Sequence, residues 1–551
     1  MLTCKVISDQ PYAEMEKVLG KENISRDPAV CDSYSWQPAI NLATEPWIPR
    51  PAAVALPQTT EEVQQLVRIC NKHKIKFKAH STGWACWGGP GEEGVVQIDL
   101  RRMNRIIEID EKNMYAVIEP YVCCSQLQAE AMKHGLNCHI IGAGPNTSQL
   151  ASVTSAWGYG WTGIYTGFGG RNPLGIEWVL PDGELLHLGT PGSGAGWFCG
   201  DGPGPSLRGI MRGWGGATGG LGVFTKCAVK LYPFPSVPRD LSFKGVLSDL
   251  VPDFKLPTTH KFYYIFSPSY EAFTNIAYAI SDTEIGYIHC KGSVGALFGL
   301  LAPRAMRVLL DTPGLRTIMK TFQHMTLFAI AAHTQGEFDY QEKVIKKIVS
   351  ENESIMIDNS YLPTQEAQWW GLHRSIFPAM AFRPGGAFIT SMGSSEMYEC
   401  CVKQAKIGEK IKQKYIDNGT FIDDMADCTW GGIYEGTSGW GHLEEIGMFD
   451  RRKPQTEKTR IEYLYATTHA TVRDALGFGL SSLEHEMYKW MGPLMGNYHL
   501  WMSKIKQAFD PNSASDFSHY IPPYDQLVKD MDHYDLPVKA DVLDDVEDYK
   551  D

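Results

Sequence analysis

The hydrophobic pattern changes character near position 235. From Pro51 to Pro235 short apolar runs alternate with glycine-rich turns, and the spacing predicts strands at Val95–Leu100, Ile106–Asp110 and Tyr115–Pro120. One amphipathic helix stands out over Thr60–His73. Thr59 and Thr60 can cap it, Glu61 and Glu62 suit the positive end of its dipole, and Val63, Leu66, Val67 and Cys70 form one apolar stripe. A second helix, Ser125–His134, is closed by Gly135. From about Ser236 to Tyr465 the elements lengthen into a mixed α/β pattern, with a candidate helix over Ser395–Tyr415. Beyond it Ser481–Ala508 reads as helical, Asp510-Pro511-Asn512 breaks the helix with a turn, and the acidic run from Lys539 to Asp551 reads as disordered. No internal repeat is seen.

A chain of 551 residues exceeds one ordinary core, so two closely packed domains are expected. A hydrophobic content of 43% with 21% charged residues is that of a soluble globular protein, and the net charge of −12 argues against nucleic acid as a partner. Met1 to Ser8 lacks the basic and apolar regions of a secretory signal, which makes a cytoplasmic location the expectation. The 13 cysteines include no CxxC pair, so neither zinc nor an iron–sulfur cluster is indicated, and reduced buried thiols are the simplest reading. The apolar run Val294–Ala302, followed by Arg304, Arg307, Arg316 and Lys320, is too short to span a bilayer. Residues 294–320 therefore read as a buried helix or a subunit contact in a homo-oligomer, with a membrane-surface face as the other reading.

Candidate chemistry begins at Lys78-Ala79-His80-Ser81-Thr82-Gly83-Trp84, just after a strand. Small residues there let consecutive backbone N–H groups converge on a pyrophosphate, although a hairpin turn would use the same glycine. A second loop, Gly142-Ala143-Gly144-Pro145-Asn146-Thr147-Ser148, precedes a stretch crowded with glycine and aromatic residues, and two such loops could close around one extended cofactor. A Pro181-Asp182-Gly183 hairpin and a run of glycines ending at Gly222-Val223 follow.

In order, the PxxxxxPxTxEEVxxLV pattern from Pro51, the HSTGW loop, IDLRRMNRIIEID from Ile98, AVIEPYV from Ala116, IEWVLPDGELL and GLGVFTKCAVKLYP resemble the FAD-binding domain of the vanillyl-alcohol oxidase/p-cresol methylhydroxylase superfamily. The KIKQAFDPN run, Lys504–Asn512, resembles that family's C-terminal return. The resemblance implies an α+β fold: a two-subdomain FAD-binding domain over 1–235, with its core from about 50, an α/β cap over 236–475 that covers the flavin and binds substrate, and a C-terminal segment 476–551 returning to the first domain. It further implies that His80, Ser81, Thr82, Gly83, Trp84, Gly144, Pro145, Ser148, Ser152, Gly222 and Val223 contact FAD.

Departures from the family pattern are as informative as the matches. Gly385–Ser391 resembles the stretch where vanillyl-alcohol oxidase offers a histidine to the flavin, but it contains none, and the berberine-bridge-type histidine would fall near Trp84. Noncovalent FAD is expected, with Cys86 and Tyr159 as the remaining nucleophiles. The tyrosine, arginine and aspartate of phenol-oxidising relatives correspond to Trp87, Phe168 and the Leu480-Ser481 neighbourhood, so a para-alkylphenol is not supported. Gly441-His442-Leu443-Glu444-Glu445 and Ser482-Leu483-Glu484-His485-Glu486 partly match the metal motifs of FAD-dependent D-2-hydroxyacid dehydrogenases, but Phe449 and Glu486 stand where that pattern differs, and no metal is expected.

The candidate catalytic groups are His442, Glu484, His485, Tyr159, Tyr165 and Arg171, each with a purely structural alternative. The expected activity is removal of hydride from an alcohol or benzylic carbon of an apolar, aromatic small molecule. Trp157, Tyr159, Trp161, Tyr165 and Phe168 would either line its pocket or simply pack. The alternatives are a D-2-hydroxyacid dehydrogenase, a non-redox alkyl-transfer enzyme and an electron-relay flavoprotein subunit. The sequence does not fix the electron acceptor.

Overall fold

The computed structural model describes residues 5–35, 48–83, 88–142, 144–155, 158–201, 206–212, 216–235, 242–245, 251–253, 255–293, 312, 314–358, 365–373, 386–427, 430–436, 439–450, 452–477, 487–518 and 520–531. Three substantial sheets organise them. The first runs Ile24–Ser25, Ala53–Ala55, Val96–Asp99, Phe77–His80, the last three strands parallel. Helix Thr60–His73 crosses over it, and its stripe of Val63, Leu66, Val67 and Cys70 is wholly buried against the sheet. The N-terminus is fixed by Thr59, whose hydroxyl accepts from the Glu62 N–H at 3.2 Å.

The second sheet is antiparallel, with Val223–Pro233 at its centre between Tyr115–Ile118 and Pro173–Val179. The latter pairs with Leu185–Leu188 across the expected turn, where the Gly183 N–H donates to the Leu180 carbonyl at 2.9 Å. The helix expected at Ser125–His134 forms as Cys124–Lys133, and Gly135 beyond it takes φ +69°.

A seven-stranded antiparallel cap sheet follows, in the order Ile355–Asp358, His260–Ser267, His324–Ala331, Ile288–Gly292, Trp430–Ile433, Trp440–Asp450, Gly386–Met397. Strand alternation gives it two different faces. Tyr263, Phe328, Ile330 and Leu443 face helices Tyr270–Asp282, Gln335–Glu351 and Tyr398–Asp417. Ile288, Cys290, Leu327, Phe388, Ile446 and Met448 face the opposite way, in one apolar cluster with Ile140, Tyr159, Trp161 and Phe168.

Two expected helices are corrected. Ser395–Tyr415 begins as strand, because Ser394–Met397 continue the ladder against Trp440–Leu443; the helix starts at Tyr398. Over Ser481–Ala508, the described part is two helices, Met487–Leu494 and Tyr498–Phe509. Gly496 and Asn497 separate them in the left-handed region, at φ +63° and +61°. The chain then returns to the first sheet: the Phe77 N–H donates to the Ala514 carbonyl at 2.9 Å and the Asp516 N–H to the Phe77 carbonyl at 2.8 Å. Trp178 stacks on Phe509 with ring centroids 5.4 Å apart.

Among the described residues no helix is long and apolar enough to cross a membrane. Of the segment 294–320, residues 294–311 and 313 lie outside the described set. Helix Leu315–Lys320 is present, with Arg316 paired to Asp423. The acidic run 539–551 also lies outside it. The ten described cysteines are free thiols, most of them buried.

Candidate functional site

Strand Phe77–His80 ends at Ser81-Thr82-Gly83. His80 Nδ1 donates to the Gly88 carbonyl at 3.0 Å, a carbonyl that also accepts from Gln97 Nε2 at 2.8 Å, and this anchors the exit of the strand. The loop is tied to the second one directly: the Ser148 N–H donates to Thr82 Oγ1 at 3.0 Å. Ser148 Oγ donates to the Pro120 carbonyl at 2.6 Å and accepts from the Ala151 N–H at 3.0 Å, capping helix Gln149–Thr154. The second loop is strapped to helix Cys124–Lys133 by Cys124 N–H to Thr147 carbonyl, 2.9 Å, and Ser125 N–H to Pro145 carbonyl, 3.0 Å. Ser152 lies buried on the capped helix.

Among the described residues, the main-chain N–H groups of Ser81, Thr82, Gly83, Gly144 and Asn146 find no backbone acceptor. Two loops clipped together and presenting unclaimed N–H donors are the chemistry a pyrophosphate needs, so the residues present fit a dinucleotide.

A third loop reaches the same strand. Gly219 lies over Lys78, where a Cβ would come within 3.1 Å of its Cε. Gly222 has φ +92°, and a Cβ there would stand 2.3 Å from the Val179 carbonyl oxygen, so only glycine fits. The C-terminal return holds this loop from behind. Ser515 Oγ donates to the Gly219 carbonyl at 3.0 Å and accepts from the Gly222 N–H at 3.1 Å, while Lys506 Nζ donates to the Gly220 carbonyl at 2.6 Å. Lys506 also pairs with Asp510 at 2.5 Å, and burial pulls its pKa down to about 8 against the opposing pull of Asp510. This is the physical content of the KIKQAFDPN run.

On strand Trp440–Asp450 the face of the cap sheet turned toward Tyr159 carries two polar groups. His442 and Glu444, two residues apart, project to the same face, with Nε2 to Oε2 at 3.4 Å. The His442 ring lies flat on Tyr159, centroids 4.1 Å apart and planes 3° from parallel. Tyr434 stacks on the same tyrosine at 5.2 Å, and Phe168 and Trp440 close the group at 5.4 and 5.3 Å. The Tyr434 hydroxyl is buried with no hydrogen-bond partner among the described residues, and burial pushes its pKa well above the phenol range, so it stays a neutral donor.

Of the expected catalytic residues, His442 and Tyr159 therefore meet. Arg171 pairs with Glu435, joining the FAD-side loop to the cap. Tyr165 sits elsewhere, its hydroxyl 3.3 Å from the Pro233 carbonyl and its ring against Tyr232 and Tyr287. Glu484, His485, Trp84, Cys86, Trp87, Trp157, Leu480 and Ser481 lie outside the described residues. Phe449 points to the helix side of the cap sheet, packed with Phe421. Glu444 was not among the expected catalytic residues, although it stands in the same Gly441–Glu445 motif as His442. Tyr434 had no local signal, because only the tertiary contact with Tyr159 singles it out.

Residues 51–189 match the family model described as FAD binding domain. The chain carries an FAD-binding domain. FAD is its cofactor, and the three loops above hold residues of that domain and of the segment that follows it. The chain is 32% identical over 229 residues to the 4-cresol dehydrogenase [hydroxylating] flavoprotein subunit of Pseudomonas putida, covering 40% of this chain and 42% of that protein. It is 27% identical over 245 residues to glycolate oxidase subunit GlcD of Bacillus subtilis, covering 43% and 47%. These matches span less than half the length of either relative. The flavoprotein has the fold of p-cresol methylhydroxylase, with a TM-score of 0.72 at 18% identity over 94% of this chain and 98% of that one. Its likeness to 4-ethylphenol oxidase from Gulosibacter chungangensis has a TM-score of 0.69 at 20% identity, covering 95% and 99%. The family model bears out the FAD-binding reading of residues 51–189, and the likeness to the solved structures shows the fold.

Proposed function

We propose that this flavoprotein is an FAD-dependent oxidoreductase that takes hydride from an alcohol or benzylic carbon of an apolar, aromatic small molecule. The observation that carries the reading is the His442–Glu444 pair, seated on Tyr159 where the cap's inner face meets the FAD-binding domain. Bound flavin supplies the hydride acceptor. The imidazole receives the substrate's proton, and the Glu444 carboxylate stabilises the charge that forms. On this reading the Tyr434 hydroxyl donates to a substrate oxygen. Phe168, Trp440, Phe388, Ile446 and Met448 make the surroundings apolar and aromatic, favouring a neutral ring over a small ionic acid.

The loop residues Ser81 to Gly83, Gly144, Pro145, Ser148, Ser152, Gly222 and Val223 are the FAD contacts on this reading. Attachment is noncovalent on this reading, because the stretch Gly385–Ser391 carries no histidine. Reduced thiols are in keeping with a cytoplasmic location. A second reading, a D-2-hydroxyacid dehydrogenase, is favoured by the relative named glycolate oxidase subunit and by another named D-lactate dehydrogenase, 29% identical over 210 residues. Anaerobic mixing of the FAD-loaded protein with alcohols, alkylphenols and 2-hydroxyacids separates the two: bleaching by neutral aromatic alcohols supports the first, and bleaching by hydroxyacids alone supports the second.

A further inference from the structure

A second polar cluster lies in the same apolar interface, away from His442. Helix Gln365–His373 sets Trp369 and His373 four residues apart on one face, with the rings 4.9 Å apart. His260, at the start of its cap strand, meets Trp369 at 5.1 Å. Phe234 abuts His373 at 5.1 Å, and Tyr287 stacks on Trp369 at 5.8 Å and 12°. Trp369, His373 and His260 are 1%, 0% and 3% exposed, yet Trp369 Nε1, His373 Nε2 and His260 Nε2 have no hydrogen-bond partner among the described residues. Buried polar atoms are nearly always paired, so three orphans in one aromatic cluster call for a ligand.

The donor and acceptor roles follow from geometry. His373 Nδ1 lies 2.7 Å from the Trp369 carbonyl, which can only accept. Nδ1 therefore carries the proton and Nε2 presents a lone pair. Burial pulls His373 down to about 4, and burial together with the neighbouring His373 pulls His260 down to about 3, so both rings stay neutral near pH 7. One indole donor beside one imidazole acceptor matches a hydroxyl group, which accepts from the first and donates to the second. A carboxylate would instead set its lone pairs against that of His373.

We propose that Trp369 and His373 bind the hydroxyl group of a neutral aromatic molecule at a subsite distinct from the His442–Glu444 pair. Gly432 pairs with His442 and faces Cys290, so Tyr287 stands two strand spacings across and three residues along from His442, roughly 14 Å. That span exceeds a single ring and suits a two-ring or long-chain molecule, oxidised at one end and held by its hydroxyl at the other. The oxidised end rests on the function proposed above; hydroxyl binding at Trp369 and His373 does not.

The test uses the full-length, FAD-loaded protein and compares the Kd of 4-hydroxybiphenyl, biphenyl and 4-carboxybiphenyl by calorimetry. The expected result is about tenfold tighter binding of the hydroxylated ligand than of either other one. Trp369→Phe and His373→Phe should each bring the hydroxyl preference close to one, and His373→Gln, which keeps an acceptor, should retain part of it. Bound flavin absorbance reports that each variant is folded. No binding of 4-hydroxybiphenyl, equal affinities in the unaltered protein, or a preference that survives both phenylalanine variants overturns the proposal. If the preference holds while no alcohol or benzylic compound reduces the flavin, the oxidative reading falls and the hydroxyl subsite stands.

Discussion

At the scale of single residues, the account turns on side chains whose positions leave few other uses. His442 is wholly buried on a strand, its ring flat on Tyr159 and its Nε2 toward a carboxylate, an arrangement that an apolar residue would replace if only packing mattered. His442→Asn should slow flavin reduction by roughly 10²–10⁴-fold at unchanged FAD content, measured by anaerobic stopped-flow. A change below twofold would reduce His442 to a packing residue. Gly222 makes a separate demand. Its left-handed backbone and the 2.3 Å approach of the Val179 carbonyl leave no room for a methyl, so Gly222→Ala should cost about 1–3 kcal/mol in denaturant unfolding. Backbone torsion is not written in sequence spacing, which is why the glycines of this loop identified it without saying which of them is indispensable.

At the scale of elements, the C-terminal return explains how a helix far along the chain secures the cofactor loops. Lys506 donates to the carbonyls of Gly220 and Ser515, at 2.6 and 2.9 Å, while Asp510 accepts from the N–H groups of Ala514 and Ser515 at 2.8 and 2.9 Å. Lys506→Met would leave the Asp510 carboxylate buried without its cation, at a cost of about 3–5 kcal/mol. Both a lower Tm and faster FAD loss on dialysis are expected, and unchanged FAD retention would separate the clasp from the cofactor site.

A second element-level prediction concerns the helix side of the cap, where Lys412 pairs with Asp424 at 2.7 Å and Lys291 with Asp427 at 2.6 Å. Burial raises Asp427 to about 6 and Glu445 well above the carboxylate range, despite the lysines beside them. The folded state then holds protons that the unfolded state has already lost, so these groups stabilise below about pH 4 and the contribution is lost as pH rises through their folded values. Glu445→Gln should remove about 1.4 kcal/mol per pH unit of that decline above pH 5, measured by urea unfolding across pH.

Legibility in the sequence divides along the same line. Helix Thr60–His73 was readable to the residue, because cap, dipole charges and apolar stripe are all local. The hairpin at Pro181-Asp182-Gly183 was readable for the same reason. Ser395–Met397 fell within the expected helix because its strand character comes from pairing with residues more than forty positions later, a contact no local pattern contains. The candidate site divides likewise: His442 and Glu444 stand together in a motif that the sequence displays, whereas Tyr434, Trp369 and His260 are brought to the interface only by the cap's tertiary fold.

At the scale of the whole molecule, two sheets carry the cofactor loops at their strand ends, a seven-stranded sheet packs an apolar, aromatic face against Tyr159, Trp161 and Phe168, and the C-terminal return ties the Gly219–Gly222 loop in place. Denaturation in acid should release all the yellow colour to the supernatant, since the chain lacks the histidine that the resembled stretch uses for attachment. A yellow pellet would point to an attachment by another residue.

The central claim is that flavin and the His442 face of the cap act together on a neutral aromatic substrate. The most direct measurement is anaerobic flavin absorbance while the FAD-loaded protein is mixed with a panel of benzylic alcohols, alkylphenols and 2-hydroxyacids. Bleaching by members of the neutral aromatic set, slowed at least a hundredfold in His442→Asn, is the predicted result. Bleaching by hydroxyacids alone, or by none of the panel, would contradict it.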